Sequence, residues 1–253
     1  MTTSPESPII QIERRKAIAL VAAAAIIASA LGVGLAKVGS GFAARTNNGI
    51  VVTGSAKTQA TADNAVWTLS VSLTRPTVGA AVSQVNSDVD AVTKYLTGGG
   101  VPKEELNLGP VSTFANEQYI NGNSTGKILN YRASRDITVR TKNVQLVSKL
   151  SQDIGSLLQT GVAVNNYGPQ YYLSTLSDLR PKLLEEAMKD AKARAVAITK
   201  AVGGSVGKVI SVKSGVFQVT TKDSTMTADI GAYDTSTIEK TITSTVSVTF
   251  QTN

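Results

Sequence analysis

A run of 20 residues without a charge, Ala17 to Ala36, sets the first constraint on how this chain can fold. As a helix rising 1.5 Å per residue it matches the roughly 30 Å hydrocarbon core of a bilayer, so it has the length to span one. Glu13-Arg14-Arg15-Lys16 precedes the run, and Lys37 and Arg45 follow it. The greater positive charge on the N-terminal side orients residues 1–16 to the cytoplasm, with residues 17–38 as anchor and the remainder outside. The same residues also fit a cleaved signal peptide, with Arg14 to Lys16 as charged region, Ile18 to Ala28 as apolar region and Ala28-Ser29-Ala30 as cleavage site. Both readings export the rest of the chain. Within the run, Ala24, Ala28, Gly32 and Ala36 recur every four residues, a face of small side chains that lets helices approach closely in lipid and suits an oligomer. An alanine-rich run also produces that spacing by composition alone.

What chemistry the exported part can perform is narrowed by two absences. The 253 residues contain no histidine and no cysteine. Thiolate nucleophiles, Cys/His zinc sites, disulfides and every histidine-dependent triad are excluded, leaving carboxylate, lysine, tyrosine or serine/lysine chemistry, or none. Charged residues make up 17% of the chain and hydrophobic ones 42%, the balance of a chain with a packed core rather than a disordered polyelectrolyte.

Residues 39–49, rich in Gly, Ser and Asn, read as a linker, and the folded domain is expected over 50–253. Ile50 to Lys57 and Ala65 to Arg75 read as strands, the second with Trp67, Leu69, Val71 and Leu73 on one face. Val78, Val82, Val85, Val89, Val92 and Leu96 are spaced for one face of a helix capped by Thr77 and stopped at Gly98-Gly99-Gly100. Leu106 to Glu117 and Ile128 to Arg140 follow as strands joined by a loop over Asn121 to Gly126. A second helix carries Val147, Leu150, Ile154 and Leu157, and Val162 to Leu173 is again a strand. A third helix, capped at Ser177 or Asp178 with Pro181 in its first turn, is expected to bury Leu184, Ala187, Ala191, Ala195, Ile198 and Val202 and to end at Gly203-Gly204. Its Glu185–Lys189 and Asp190–Arg194 pairs read as a solvated face. Val206 to Lys213 and Ile238 to Phe250 close the series, with Thr220 to Thr237 as an irregular excursion. This order predicts an α+β domain in which a mainly antiparallel sheet packs against amphipathic helices, preceded by a single transmembrane helix, and the repeated strand-strand-helix unit points to an internal duplication.

Several short patterns bear on chemistry, and each has a plainer explanation. Asp88 and Asp90 sit within the first helix, where alternate side chains diverge, and read as helix surface rather than a metal loop. Glu104-Glu105 and Glu185-Glu186 are adjacent pairs that cannot flank one substrate bond. Ser205 and Lys208 fit S-x-x-K without its companion motifs, and Gly98 to Gly100 and Gly203 to Gly207 follow helices as caps rather than cradling phosphate. No catalytic residue, metal ligand or cofactor is expected. Of the net charge of +7, residues 1–16 hold three cations and two anions, and Lys37 and Arg45 two more cations, which leaves +4 on residues 47–253. That charge is diffuse and not interleaved with aromatics, so membrane lipid or an anionic envelope polymer, rather than nucleic acid, is the expected partner. Tyr167, Tyr171 and Tyr172, around Gly168-Pro169, are the densest aromatic group, read either as cross-strand packing or as a contact surface.

Taken together the motifs resemble the SIMPL-domain family (DUF541), which includes bacterial periplasmic immunogenic and oxidative-stress-defence proteins. The resemblance is carried by Val52-Thr53-Gly54-Ser55-Ala56, by Ala81, Asn86 and Leu96 leading to Gly100-Val101, by Tyr131-Arg132-Ala133-Ser134 before Ile137-Thr138-Val139, by Gly161-Val162, and by the helix Leu184 to Val202 followed by Gly203-Gly204-Ser205-Val206-Gly207-Lys208-Val209. It implies export and an α+β fold, and some members assemble into large hollow rings; it carries over no catalytic residue. The expectation is therefore a non-catalytic protein of the bacterial inner membrane with its C-terminal domain in the periplasm, self-assembling as a ring with a structural or interaction role in the cell envelope. The alternative is a soluble periplasmic binding module linked to stress defence, released by signal cleavage.

Overall fold

The alternation around Trp67 suits a strand with one face fully buried inside a sheet. The computed structural model describes residues 49–224 and 230–253. The expected anchor, with Ala24, Ala28, Gly32 and Ala36, lies outside the described residues, among which no helix is long and apolar enough to cross a membrane. In chain order the elements are β1 (Ile50–Thr61), β2 (Asn64–Arg75), α1 (Val78–Gly98), a 3-10 turn (Lys103–Glu105), β3 (Leu106–Leu108), β4 (Ser112–Ile120), β5 (Asn123–Thr141), α2 (Val144–Asp153), α3 (Gly155–Leu158), β6 (Val164–Tyr172), α4 (Leu176–Ala201), β7 (Val206–Ser214), β8 (Gln218–Thr221) and β9 (Glu239–Thr252). The strands form two sheets, one ordered β3-β5-β2-β6 with β4 on β5, the other β1-β9-β7 with β8 on β9. The α+β class holds, with two sheets where one was expected.

Two compact units share these elements: Thr53–Arg194 with Val212–Val248, and, among the described residues, 49–52 with Ala195–Ser211 and Thr249–Asn253. In the first, β2 lies antiparallel between β5 and β6, in register Trp67↔Val139, Leu69↔Ile137 and Ala65↔Tyr171. Period-2 alternation buries Ala65, Trp67, Leu69 and Val71 completely against Ala81, Val85, Val89, Val92 and Leu96 of α1 and Val147 and Leu150 of α2. Thr77 caps α1 as expected, its hydroxyl accepting from Ala80 N at 3.2 Å. The α1 stripe is rotated from the valine count, however: Val78 is exposed, while Ala81 and Asp88 are buried. Asp88 is thus not helix surface. Its carboxylate accepts from Gln84 Nε2 at 2.8 Å and from Ala163 N at 3.2 Å, so the N–H that precedes β6 is satisfied by a buried side chain.

Also in this unit, β1 meets α4 backbone to backbone. A Cβ at Gly54 would lie 2.1 Å from the Ala187 carbonyl oxygen and 2.4 Å from Ala191 N, so only glycine permits this approach. Ser55 N donates to Asp190 Oδ2 at 2.8 Å, and Arg194 Nε pairs with the same oxygen at 2.8 Å, so Asp190 holds a strand as well as facing water. The α4 face differs from expectation. The buried residues are Leu183, Ala187, Ala191, Ala195 and Thr199, spaced strictly by four; Leu184 is half-buried, and Ile198 and Val202 are exposed. The helix also begins earlier, at Leu176, which puts Pro181 inside it rather than in its first turn. Part of the expected excursion over 220–237 is ordered: β8 pairs with β9 in register Val219↔Ile242, and Val219 bridges Tyr233.

In the second unit Ser205 N donates to Asn253 O at 2.9 Å and Asn253 N returns to Ser205 O at 3.0 Å. The Ser205 backbone therefore pairs with the residue that follows β9.

The hairpin loop is tighter than 121–126. Asn121 (φ 52°) and Gly122 (φ 82°) form a two-residue turn with both residues in the left-handed region, the Asn-Gly signature of a hairpin whose twist matches its strands. β5 pairs with β2 only over 131–141, so the turn-side half of β4–β5 is a two-stranded arm.

Candidate functional site

A hollow lies where β6 breaks its own ladder. β2 and β6 stay in register through Trp67↔Pro169 and resume at Leu69↔Asn166, so Thr68 alone faces both Tyr167 and Gly168. Two residues opposite one is a β-bulge, a device that redirects a side chain out of the pleat. Gly168 takes φ 77°, a left-handed conformation that glycine adopts without steric cost. The bulge is tied at its base by Asn166. Its Oδ1 accepts from the indole Nε1 of buried Trp67 at 2.8 Å and from Gly168 N at 2.9 Å, and its Nδ2 donates to the Ser151 carbonyl at the end of α2 at 3.3 Å. Core, bulge and helix therefore share one side chain.

Held this way, Tyr167 projects with 79% of its surface exposed. It borders a groove of about 670 Å³ whose other walls are the polar face of α2 (Gln145, Ser148, Ser151, Gln152), Gly168, Pro169 and Tyr171 of β6, and residues 236–239. That volume falls within the range of small-molecule sites. The third wall is fastened by Asp234. Its Oδ1 accepts from Thr237 N at 3.2 Å and Thr237 Oγ1 at 2.8 Å, and its Oδ2 from Ser236 Oγ at 2.8 Å. Burial opposes ionisation of Asp234, but these hydrogen bonds and the neighbouring Lys240 prevail, holding the carboxyl below its ordinary value. Lys240 is wholly buried and points its ammonium at the Asp234 carbonyl, with the carboxylate at 3.4 Å; burial pushes its amine below the ordinary range.

Of the three tyrosines singled out in the sequence, only Tyr167 is presented to solvent. Tyr171 is buried in the core cluster and reaches the groove with its edge, and its N–H goes to the Thr235 carbonyl at 2.7 Å. Tyr172 lies 6.2 Å from the Tyr233 ring and donates its hydroxyl to Gln170 Oε1 at 2.7 Å. Sequence reasoning passed over Asn166, Gln145 and Ser148. Asn-Tyr-Gly-Pro inside a strand-like run is the signal that could have marked the bulge, since glycine and proline rarely occupy a regular strand interior.

The other sequence patterns stay apart. Glu104 and Glu105 lie in the 3-10 turn, and Glu185 pairs with Lys189 at 2.6 Å on the exposed face of α4. Among residues of the resemblance motifs, Asn86 accepts from Arg135 Nη1 at 3.2 Å while Arg135 Nε reaches the Gly109 carbonyl at 2.8 Å, a structural tie between α1, β5 and the β3–β4 connection. Among the described residues no three acidic side chains are grouped to hold a metal ion.

Comparison with curated proteins returns no match. The model of one family does match, described as SIMPL, protein of unknown function (DUF541), over residues 50–250. That span starts at the first residue of β1 and takes in the Gly54 contact, the α1 core, the Asn86 tie and all but the end of β9, and the chain belongs to the SIMPL family.

Proposed function

We propose that this SIMPL-family chain is a non-catalytic interaction protein of the cell envelope, anchored in the bacterial inner membrane through residues 17–38, with its domain in the periplasm, and that it self-associates into a homo-oligomer, as a ring. The observation that carries the reading is the β4–β5 arm. Beyond Tyr131 it is a two-stranded ribbon, a form marginally stable on its own in water. It nonetheless exposes Tyr119, Ile120, Ile128 and Leu129 to solvent, with Tyr119 at 65%. Exposed apolar side chains on both faces of an under-supported element mark a place where another chain packs, and a second copy presents the same arm. The test is the mass and shape of the full-length protein in mild detergent by light scattering and particle imaging. A closed multi-copy particle, reduced to smaller species by Tyr119→Glu with Ile120→Lys, is the expected result; a monomer in the unsubstituted chain would sink the reading.

The groove at Tyr167 favours a second reading, the soluble periplasmic binding module linked to stress defence. Mature protein beginning near Leu31 supports it, and an intact N-terminus in the membrane fraction removes the cleavage it requires.

A further inference from the structure

We propose that the Tyr167 groove binds a neutral oligosaccharide, with the Tyr167 ring as the platform beneath one sugar and the side chains of Gln145, Ser148, Ser151 and Gln152 as partners for its hydroxyls. The inference rests on reading the groove as a ligand site, and on neither anchoring nor self-association.

The lining selects the chemistry. Among its residues Glu239 alone carries a formal charge, so the groove offers an anion no counter-charge, and Glu239 is itself engaged by Thr61 Oγ1 at 3.2 Å. Its apolar members beyond the tyrosines are few, Pro169 and Ile238, so the polar side chains of the lining set what it selects. What remains is a row of amides and hydroxyls on one helix facing an exposed aromatic ring. That combination suits a ligand whose own faces alternate between C–H and O–H groups, because the ring takes the apolar face and the amides the hydroxyls.

An extended peptide is the obvious competitor, since β6 is the edge of its sheet. Strand addition needs a row of free main-chain donors. Here Pro169 has none, the Gly168 N–H is taken by Asn166 and the Tyr171 N–H by Thr235. Bulge and proline together blunt the edge. The same bulge holds Tyr167 in place before any ligand arrives, so little ordering accompanies binding.

The test titrates the full-length chain, in an amine-oxide detergent that contains no sugar, with cellohexaose, chitohexaose and maltohexaose in turn, and separately with an uncharged Ser/Ala hexapeptide, by calorimetry. At least one hexasaccharide is expected to bind saturably. Tyr167→Ala should weaken it about tenfold or more and Tyr167→Phe less than about threefold, with circular dichroism unchanged in both because the side chain is exposed. Absence of sugar binding up to about 10 mM, or binding that Tyr167→Ala leaves intact, overturns the proposal. A chain that ignores the sugars but takes the peptide in a Tyr167-dependent way keeps its ligand groove and loses the sugar assignment. A chain that takes neither loses both.

Discussion

The indole N–H of Trp67, at the centre of the core, donates to Asn166 Oδ1 at 2.8 Å, and the same oxygen fixes the N–H of Gly168 in the bulge beside it. A residue that looks like surface decoration is thereby the partner of the largest fully buried side chain among the described residues. Asn166→Ala leaves the indole N–H unpaired and releases the bulge, and should cost about 1–3 kcal/mol, the usual penalty for orphaning a donor shielded from water. Urea unfolding reads the loss. Trp67 is the only tryptophan, so its emission reports directly on the altered environment.

Gly54→Ala should destabilise by about 1–3 kcal/mol or more, because the new methyl group meets backbone atoms of α4 rather than a side chain able to swing away. Gly79→Ala is the control. Nothing lies within 4 Å of the added atom there, and alanine in the first turn of α1 should stabilise by about 0.5–1 kcal/mol. Thermal or urea melts of the two variants should move in opposite directions.

Acid stability follows in part from two of the depressed carboxyls, those that burial opposes most. At Asp63 and Asp234 burial raises the pKa, but hydrogen bonds from Ser174 and from Ser236 and Thr237 outweigh it, and both fall below the ordinary 3.8. A depressed folded-state value means their contribution is fully present above that ordinary value and is lost as pH drops through the lower folded one. The urea midpoint should decline below about pH 4, and Asp234→Asn should flatten the decline.

Lys240 acts in the opposite sense. Burial lowers its amine below the ordinary 10.5, and Asp234 recovers only part of the shift, so the folded state gives up the proton first. Stability attributable to this group therefore rises as pH climbs through its folded value toward 10.5. Lys240→Met should abolish that rise and leave stability at neutral pH within about 1–2 kcal/mol of the parent or above it, since a buried charge is often replaced by a hydrophobe without loss. Asp234→Asn, by removing the carboxylate and leaving the ammonium buried, should cost about 1–3 kcal/mol.

How far the sequence foretold these features depended on the range of the forces behind each. The run Trp67-Leu69-Val71 and the stripe Val85-Val89-Val92-Leu96 were legible because period and burial are local properties of one element. The inner face of α4 was legible at Ala187, Ala191 and Ala195 but misread at both ends, with Leu184 for Leu183 and Ile198 and Val202 for Thr199, because mixed steps of three and four and strict steps of four both fit a helical period. Asp88 was assigned to the surface since nothing nearby announces that Ala163 will need an acceptor. The tyrosine cluster was visible as composition, but that one ring points out while its neighbours turn in follows from a ladder slip between Thr68 and Gly168, which only pairing with β2 reveals.

The β4–β5 arm ends in a two-residue turn and, beyond Tyr131, borrows nothing from the register that β2 imposes on the core. Residues can therefore be added or removed there two at a time, one on each strand, without reversing which side chains face inward below. Evolution can lengthen, shorten or repaint this ribbon while leaving the Trp67 core untouched. Relatives that share the scaffold are thus free to diverge first in the company they keep, and the arm is where that divergence should be sought.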